Sequence, residues 1–176
     1  MTFRKIRNTV VSGLSAYLSV PVVLANQVNT EQDYPFVIYS VTTPYIPENT
    51  LGEYRWEEGM NGTAEEIRRE QPTCTWSFTV CSADRGTEAG YILGEDEALE
   101  LAEKALGWFL YAGYDDISRK GITVVDAGNV QERSVLQVDE EARRYGFDVT
   151  IRYAREDKRK VGVVEKVTAI EKGEET

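Results

Sequence analysis

The chain contains no histidine. Serine and cysteine nucleophiles need a base within hydrogen-bond reach, and with no imidazole the usual Ser-His and Cys-His pairs are excluded. A Ser-Lys arrangement stays open, although no serine stands in a distinctive spacing. Cysteine is scarce: Cys74 and Cys81, the only two, both lie in "PTCTWSFTVCSAD". Seven residues apart, they fall on opposite faces of a strand, which disfavours an intrachain disulfide. Two thiols without a histidine build no common zinc site, so reduced, buried cysteines are expected. Glycine forms no phosphate cradle, because "GLSAYLS", "GTEAGYILG" and "GMNG" lack the strand–glycine–helix order with its lysine. No apolar run approaches the roughly 20 residues of a membrane span. "TVVSGLSAYLSVPVVLA" is broken by serines, Tyr17 and Pro21, so it does not read as a secretory signal. Positive charge is in deficit, with 20 basic against 30 acidic residues and a net charge of −10. That balance argues against a phosphate-contacting face, which needs clustered Lys and Arg. The short basic groups at 4–7, 68–69, 143–144 and 158–160 read as solvated edges or inter-subunit contacts.

What remains is ordinary for a globular protein: 176 residues, 41% hydrophobic and 28% charged. That length fits a single domain spanning 1–176, with "EKGEET" at 171–176 expected as a frayed tail. Phe3, Ile6, Val10, Leu14, Tyr17 and Leu18 follow helical spacing, and Pro21 closes that helix. A short strand in "VVLAN" follows. Tyr34–Thr42 reads as an interior strand, bulky on both faces, that Pro44 and Pro47 end. Residues 43–70 then form a long protruding loop. Trp76, Phe78 and Val80 alternate with polar neighbours in a strand over 72–83, and "DRGTEAG" is a turn-rich connection. From Glu95 a helix places Leu99, Ala102, Leu106, Phe109 and Leu110 on one face, with acids crowding its first turns. Gly107 inside it would permit close approach of a strand, and "WFLYAGY" is rich enough in aromatics to be core. Strands follow in "ITVVDAG" and "NVQERSVLQVD". The clearest strand is "RRYGFDVTIRYARED", with Tyr145, Phe147, Val149, Ile151 and Tyr153 at period two. "EDKRK" suits a hairpin tip or hinge before a last strand in "KVGVVEKVTAIEK". The expected architecture is α+β: two helices packed on a mostly antiparallel sheet, with a long hairpin-type loop between the second and third strands.

Acidic clusters are the remaining route to catalysis. Asp115 with Asp116, Asp139 with Glu140 and Glu141, and Glu57 with Glu58 are candidates for holding Mg²⁺ or for acid–base work. Neighbouring carboxylates diverge on a strand and spread around a helix, so solvated turns are the preferred account. No catalytic, cofactor or metal residue is assigned, and no cofactor is expected.

Taken together, the amphipathic first helix, "YPFVIYSVTTPYIP", "CTWSFTVCSAD", "ALELAEKALGWFL" and "RYGFDVTIRYARED" resemble the phage neck and tail terminator proteins, also called tail-completion or head–tail joining proteins. The resemblance covers most of residues 3 to 155, and "YGFDVTIRY" is its most specific piece. It implies a non-enzymatic structural virion protein, assembled in the host cytoplasm, that closes into a ring, typically a hexamer. Such a ring caps the tail tube, ends tail polymerisation and offers a docking surface for the head. The implied partners are other copies of the chain, the tail tube protein and the head–tail connector proteins, with no membrane. Genome DNA would pass through the lumen without sequence-specific binding, and an acidic bore would limit sticking to phosphates.

Ring closure needs a heterologous interface. Tyr45, Tyr54, Arg55, Trp56, Arg68 and Arg69 in the 43–70 loop have the aromatic and arginine character of contact anchors. Asp148 and Arg152, on the polar face of 144–153, are further candidates. A different ring-forming connector or tail-tube subunit is the first alternative, and a small metal-dependent hydrolase using acidic residues the second.

Overall fold

A computed structural model describes residues 1–26, 32–48, 50–58, 63–88, 90–134 and 142–162. Helix α1 (Phe3–Leu18) buries Ile6, Val10, Leu14 and Leu18, one stripe at four-residue steps. Phe3 and Tyr17 lie on its flank, 37% and 40% exposed, Phe3 stacked on Trp76. Ser19 turns left-handed with φ 60° and its N–H bonds to the Ser15 carbonyl, so the helix stops before Pro21.

The chain then enters a sheet of mixed but mostly antiparallel order. β1 (Val22–Leu24) runs parallel to β2 (Phe36–Ile46); β5 (Thr73–Ser82), β10 (Arg143–Tyr153) and β8 (Ile122–Ala127) follow across the sheet. The two-residue β9 (Gln131–Glu132) pairs with β10. Residues 135–139 of the expected "NVQERSVLQVD" strand lie outside the described residues. β2 is interior, as its two bulky faces suggested, but it does not end at Pro44. Register shifts at Val41/Thr43 and Thr43/Ile46 let the proline ride in an irregular stretch where no ladder N–H is demanded.

One face of this sheet is the core. Cys74, Trp76, Phe78 and Val80 from β5 meet Phe147, Val149, Ile151 and Tyr153 from β10 beneath the helices. Phe78 stacks on Trp76 and Phe147 at 6.2 and 5.8 Å and tilts against Phe109 at 5.0 Å, so it sits in the middle of the aromatic cluster. Cys81 is on the other face, as the spacing required; both cysteines are buried and neither is in a disulfide.

α2 (Gly94–Gly107) packs through Ala98, Ala102 and Ala105, small residues that bring its backbone close to the sheet. A π-helical turn (Trp108–Ala112) follows, then the short α3 (Tyr114–Arg119), so there is one helix more than expected. The wider turn shifts the face. Trp108 and Phe109 are buried, whereas Leu110 is 57% exposed and Tyr111 89%, against the expectation that Leu110 shares the buried face. A Cβ at Gly107 would meet nothing, so that glycine permits no close approach; Gly113 does, because a Cβ there would collide with the Trp108 indole. Between β5 and α2 the turn-rich segment is a small hairpin of β6 (Arg85–Thr87) and β7 (Gly90–Ile92).

Residues 43–70 are not a loop. β2 runs on to Ile46, and β3 (Glu53–Glu58) and β4 (Thr63–Glu70) form a hairpin. Nor is "EDKRK" a hairpin tip: it lies in β11 (Arg155–Gly162), which pairs with β4. The rest of the expected last strand, beyond Gly162, lies outside the described residues. The order β11-β4-β3 makes a three-stranded arm. Its register continues that of the body without slippage: Arg143 faces Ser82, Arg152 faces Thr73, Arg155 faces Glu70 and Gly162 faces Thr63. β4–β5 and β10–β11 are therefore one antiparallel ribbon, about 65 Å long at ~3.3 Å per residue. Pro72 interrupts its ladder because proline has no N–H to donate, while its carbonyl still accepts from Tyr153 N at 3.1 Å.

Candidate interaction surface

The arm leaves the helices behind, and its side chains change accordingly. On the face continuous with the core, the apolar series ends in a polar junction around Glu70, whose side chain is 1% exposed. Tyr45 Oη donates to Glu70 Oε1 at 2.8 Å, Arg68 Nη2 donates to Oε2 at 2.6 Å, and Arg155 Nη1 lies 3.7 Å from Oε1. The Arg155 guanidinium also covers the Tyr45 ring at 5.3 Å. The hydrogen bond to the Glu70 carboxylate, reinforced by burial, pushes the Tyr45 hydroxyl above its ordinary pKa. The buried carboxylate is thus satisfied, as burial of charge demands.

Further out, cross-strand pairs lace the three strands together. Arg159 holds the buried Glu66 at 2.8 Å, Lys158 bonds Glu65 at 2.9 Å, and Arg55 bridges Glu57 and Glu156 at 3.4 and 3.7 Å. Arg68 adds Asp157 at 3.5 Å and donates to the Leu51 carbonyl at 2.8 Å. Ile67 is the arm's one fully buried apolar side chain among the described residues, flanked in register by Arg55 and Lys158. Tyr54 and Trp56 alternate onto the core-side face of β3 and stand 51% and 61% exposed. The hollow between Tyr54, Arg68 and Arg159 measures about 180 Å³, below the range of a site for a drug-sized ligand.

A second polar surface covers the open face of the main sheet. Arg133 lies across it, donating to Ser77 Oγ at 2.6 Å, Thr79 Oγ1 at 3.2 Å and Asp148 Oδ1 at 2.9 Å. Gly146 makes room for it, since a Cβ there would stand 2.9 Å from Arg133 Cδ. Desolvation opposes ionisation of Asp148, but hydrogen bonds from Ser77 and Arg133 and the guanidinium charge outweigh it, so its pKa is lowered. Thr75 and Thr150 share a 3.0 Å hydrogen bond between their hydroxyls.

The residues singled out from sequence therefore fall into two groups. Tyr45, Tyr54, Arg55, Trp56, Arg68 and Arg69 belong to the arm and its root; Asp148 and Arg152 lie on the open face, Arg152 nearest the junction, opposite Thr73. Tyr45 and Arg68 are engaged in the Glu70 junction, whereas Arg69 has no ion-pair partner among the described residues. Sequence reasoning missed Glu66, Glu70, Arg155 and Arg159. The signal was the complementarity of "EEIRRE" and "REDKRK", two mixed-charge runs that pair across strands.

Among the described residues no group of three or more Cys, Asp or Glu is placed to hold a metal ion. No described helix is long and apolar enough to cross a membrane. The distinguishing feature of the described fold is the three-stranded arm that continues the main sheet past its helices. The chain belongs to the phage neck terminator protein family, whose model matches residues 8–175. It is accordingly a phage virion component with a structural role in the neck or tail, and it interacts with other head or tail components. A search of curated proteins finds no match.

Proposed function

We propose that this protein assembles into a ring, a hexamer in the simplest case, that caps the tail tube, ends its polymerisation and presents the surface to which the head docks. Family membership supplies the setting, and the arm carries the proposal. A three-stranded sheet that projects beyond its own helices, with Tyr54 and Trp56 exposed, has the anchors of a contact surface and no further strand partner among the described residues. The reading needs neither a cofactor nor catalysis. Genome DNA traverses the lumen, and the net charge of −10 keeps a phosphate backbone from adhering.

Deleting Gly52–Gly62, which removes β3 and the residues before β4, tests this. The truncated protein is expected to keep the melting behaviour of the body and to lose assembly, read by mass photometry of the protein alone and by electron microscopy with tail tubes present. A wild-type protein that stays monomeric in both settings removes the ring reading.

A further inference from the structure

The arm has two outer edges, and they carry opposite charge. Among the described residues, each outer strand in the order β11-β4-β3 is paired only on its β4 side. β3 contributes Glu53, Glu57 and Glu58 against Arg55, a net charge of −2; β11 contributes Arg155, Lys158, Arg159 and Lys160 against Glu156 and Asp157, a net charge of +2. Unpaired strand edges seek another strand, and charges decide which one they accept. β3 against β3, or β11 against β11, sets like charges together, which disfavours a two-fold dimer through either edge. β3 against β11 is attractive, and it is heterologous: each subunit offers one edge to each neighbour, the geometry that closes a ring.

We infer that the arms of neighbouring subunits join edge to edge, β3 of one to β11 of the next, in a continuous intersubunit β-belt. The inference rests on the ring reading above and names its joint. Direction follows from topology. β3 and β11 are both antiparallel to β4, so they point the same way, and rotation about a ring axis preserves that sense; the joint is a parallel pair. The side chains select a register. With Arg55 beside the next subunit's Glu156, Glu57 falls beside its Lys158, Glu58 beside its Arg159, and Tyr54 beside its Arg155. Three pairs are ionic and the fourth sets a guanidinium against an aromatic ring. Relative to the rows within one arm, where Arg55 aligns with Lys158 through Ile67, this register is staggered by two residues, which preserves the faces of the strands.

Cross-linking tests the joint directly. A Glu57→Cys/Lys158→Cys protein has its two new thiols two strand spacings and two residues apart within a subunit, about 12 Å, beyond the ~7 Å Cα reach of a disulfide. The native Cys74 and Cys81 are 0% and 1% exposed and do not compete. Oxidation of the assembled protein is expected to give a denaturing-gel ladder of multiples that collapses with reductant, and neither single-cysteine variant extends beyond a dimer. A second arm reverses the charges. Glu57→Lys and Lys158→Glu, which reverse the two sides of one pair in this register, are each expected to assemble at least tenfold less tightly than wild type, with melting within a few degrees of it. Their equimolar mixture should assemble again by alternation. Wild-type assembly with no ladder, or with both reversed variants assembling normally, overturns the belt and leaves the ring standing. Failure of the wild type to assemble, alone or on tubes, removes both.

Discussion

The body and the arm are two lengths of the same ribbon, and only one of them has helices behind it. Where β5 and β10 run under α1 and α2, alternate positions carry Trp76, Phe78, Phe147 and Ile151, each 1% exposed or less. Where the same strands continue as β4 and β11, those positions carry Glu70, Arg68, Glu66, Arg155 and Arg159. The body is held by apolar burial, worth roughly 1.5–3 kcal/mol for each large side chain. The arm is held by cross-strand ion pairs, and exposed pairs contribute about 0–1 kcal/mol apiece. An isolated small sheet with so little apolar burial is marginal in water. The arm owes its order to the continuity of its register with the body.

Four substitutions test that contrast. Phe78→Ala, in the centre of the aromatic cluster, should cost about 3–5 kcal/mol, read from urea denaturation. At the junction, Glu70→Gln removes the charge that Tyr45, Arg68 and Arg155 share. A loss of about 1–3 kcal/mol is expected, together with faster amide exchange in β4 and β11 than in β5 and β10; exchange rising equally in body and arm would dissolve the distinction. In the body's periphery, Arg85 forms a two-pronged pair with Glu97, both contacts at 2.7 Å, and this hydrogen bonding holds the Glu97 pKa below its ordinary value despite partial burial. A depressed carboxylate pKa stabilises the fold above the unfolded value, about 4.3 for Glu, and that stabilisation fades as pH falls through the folded pKa. Glu97→Gln should therefore lower the melting temperature at pH 7, and the gap from wild type should narrow steadily below about pH 4.3. Smallest of all, Lys158→Ala should change monomer stability by about 0.5 kcal/mol or less, because its pair with Glu65 is largely solvated.

The body was legible in the sequence and the arm was not, for the same reason that they differ. Period two in "YGFDVTIRY" and "TWSFTV" is imposed by a core on one face, and the four-residue stripe of α1 is the helical version of that constraint. No such constraint writes "EYRWEE" or "TAEEIRRE", whose outward positions on both faces tolerate charge, so an apolar template finds no strand there. Their pairing is encoded between runs some 90 residues apart in the chain, as in the contact of Lys158 with Glu65. Pro44 misled in a different way, since a proline ends a regular strand but is accepted at a register shift. Leu110 misled because a single π turn rotates every later residue relative to the face that precedes it. Of the candidate contact residues, the aromatic and arginine content at 45–69 was readable. The half of the same surface contributed by β11 was hidden by its resemblance to a charged hinge.

The unbroken register across Pro72 and Ala154 has a mechanical consequence. A hinged appendage swings free when pulled and passes little force to its base. Here the arm's strands are covalently and in register the central strands of the sheet, and tension along them loads many cross-strand hydrogen bonds in shear together rather than one after another. Force arriving at Tyr54 or Trp56 is conducted into β5 and β10, under the aromatic cluster, with the Glu70 junction as the collar where the two segments meet. Such a part behaves as a strut, stiff along its length, and orients whatever grips it with respect to the whole body.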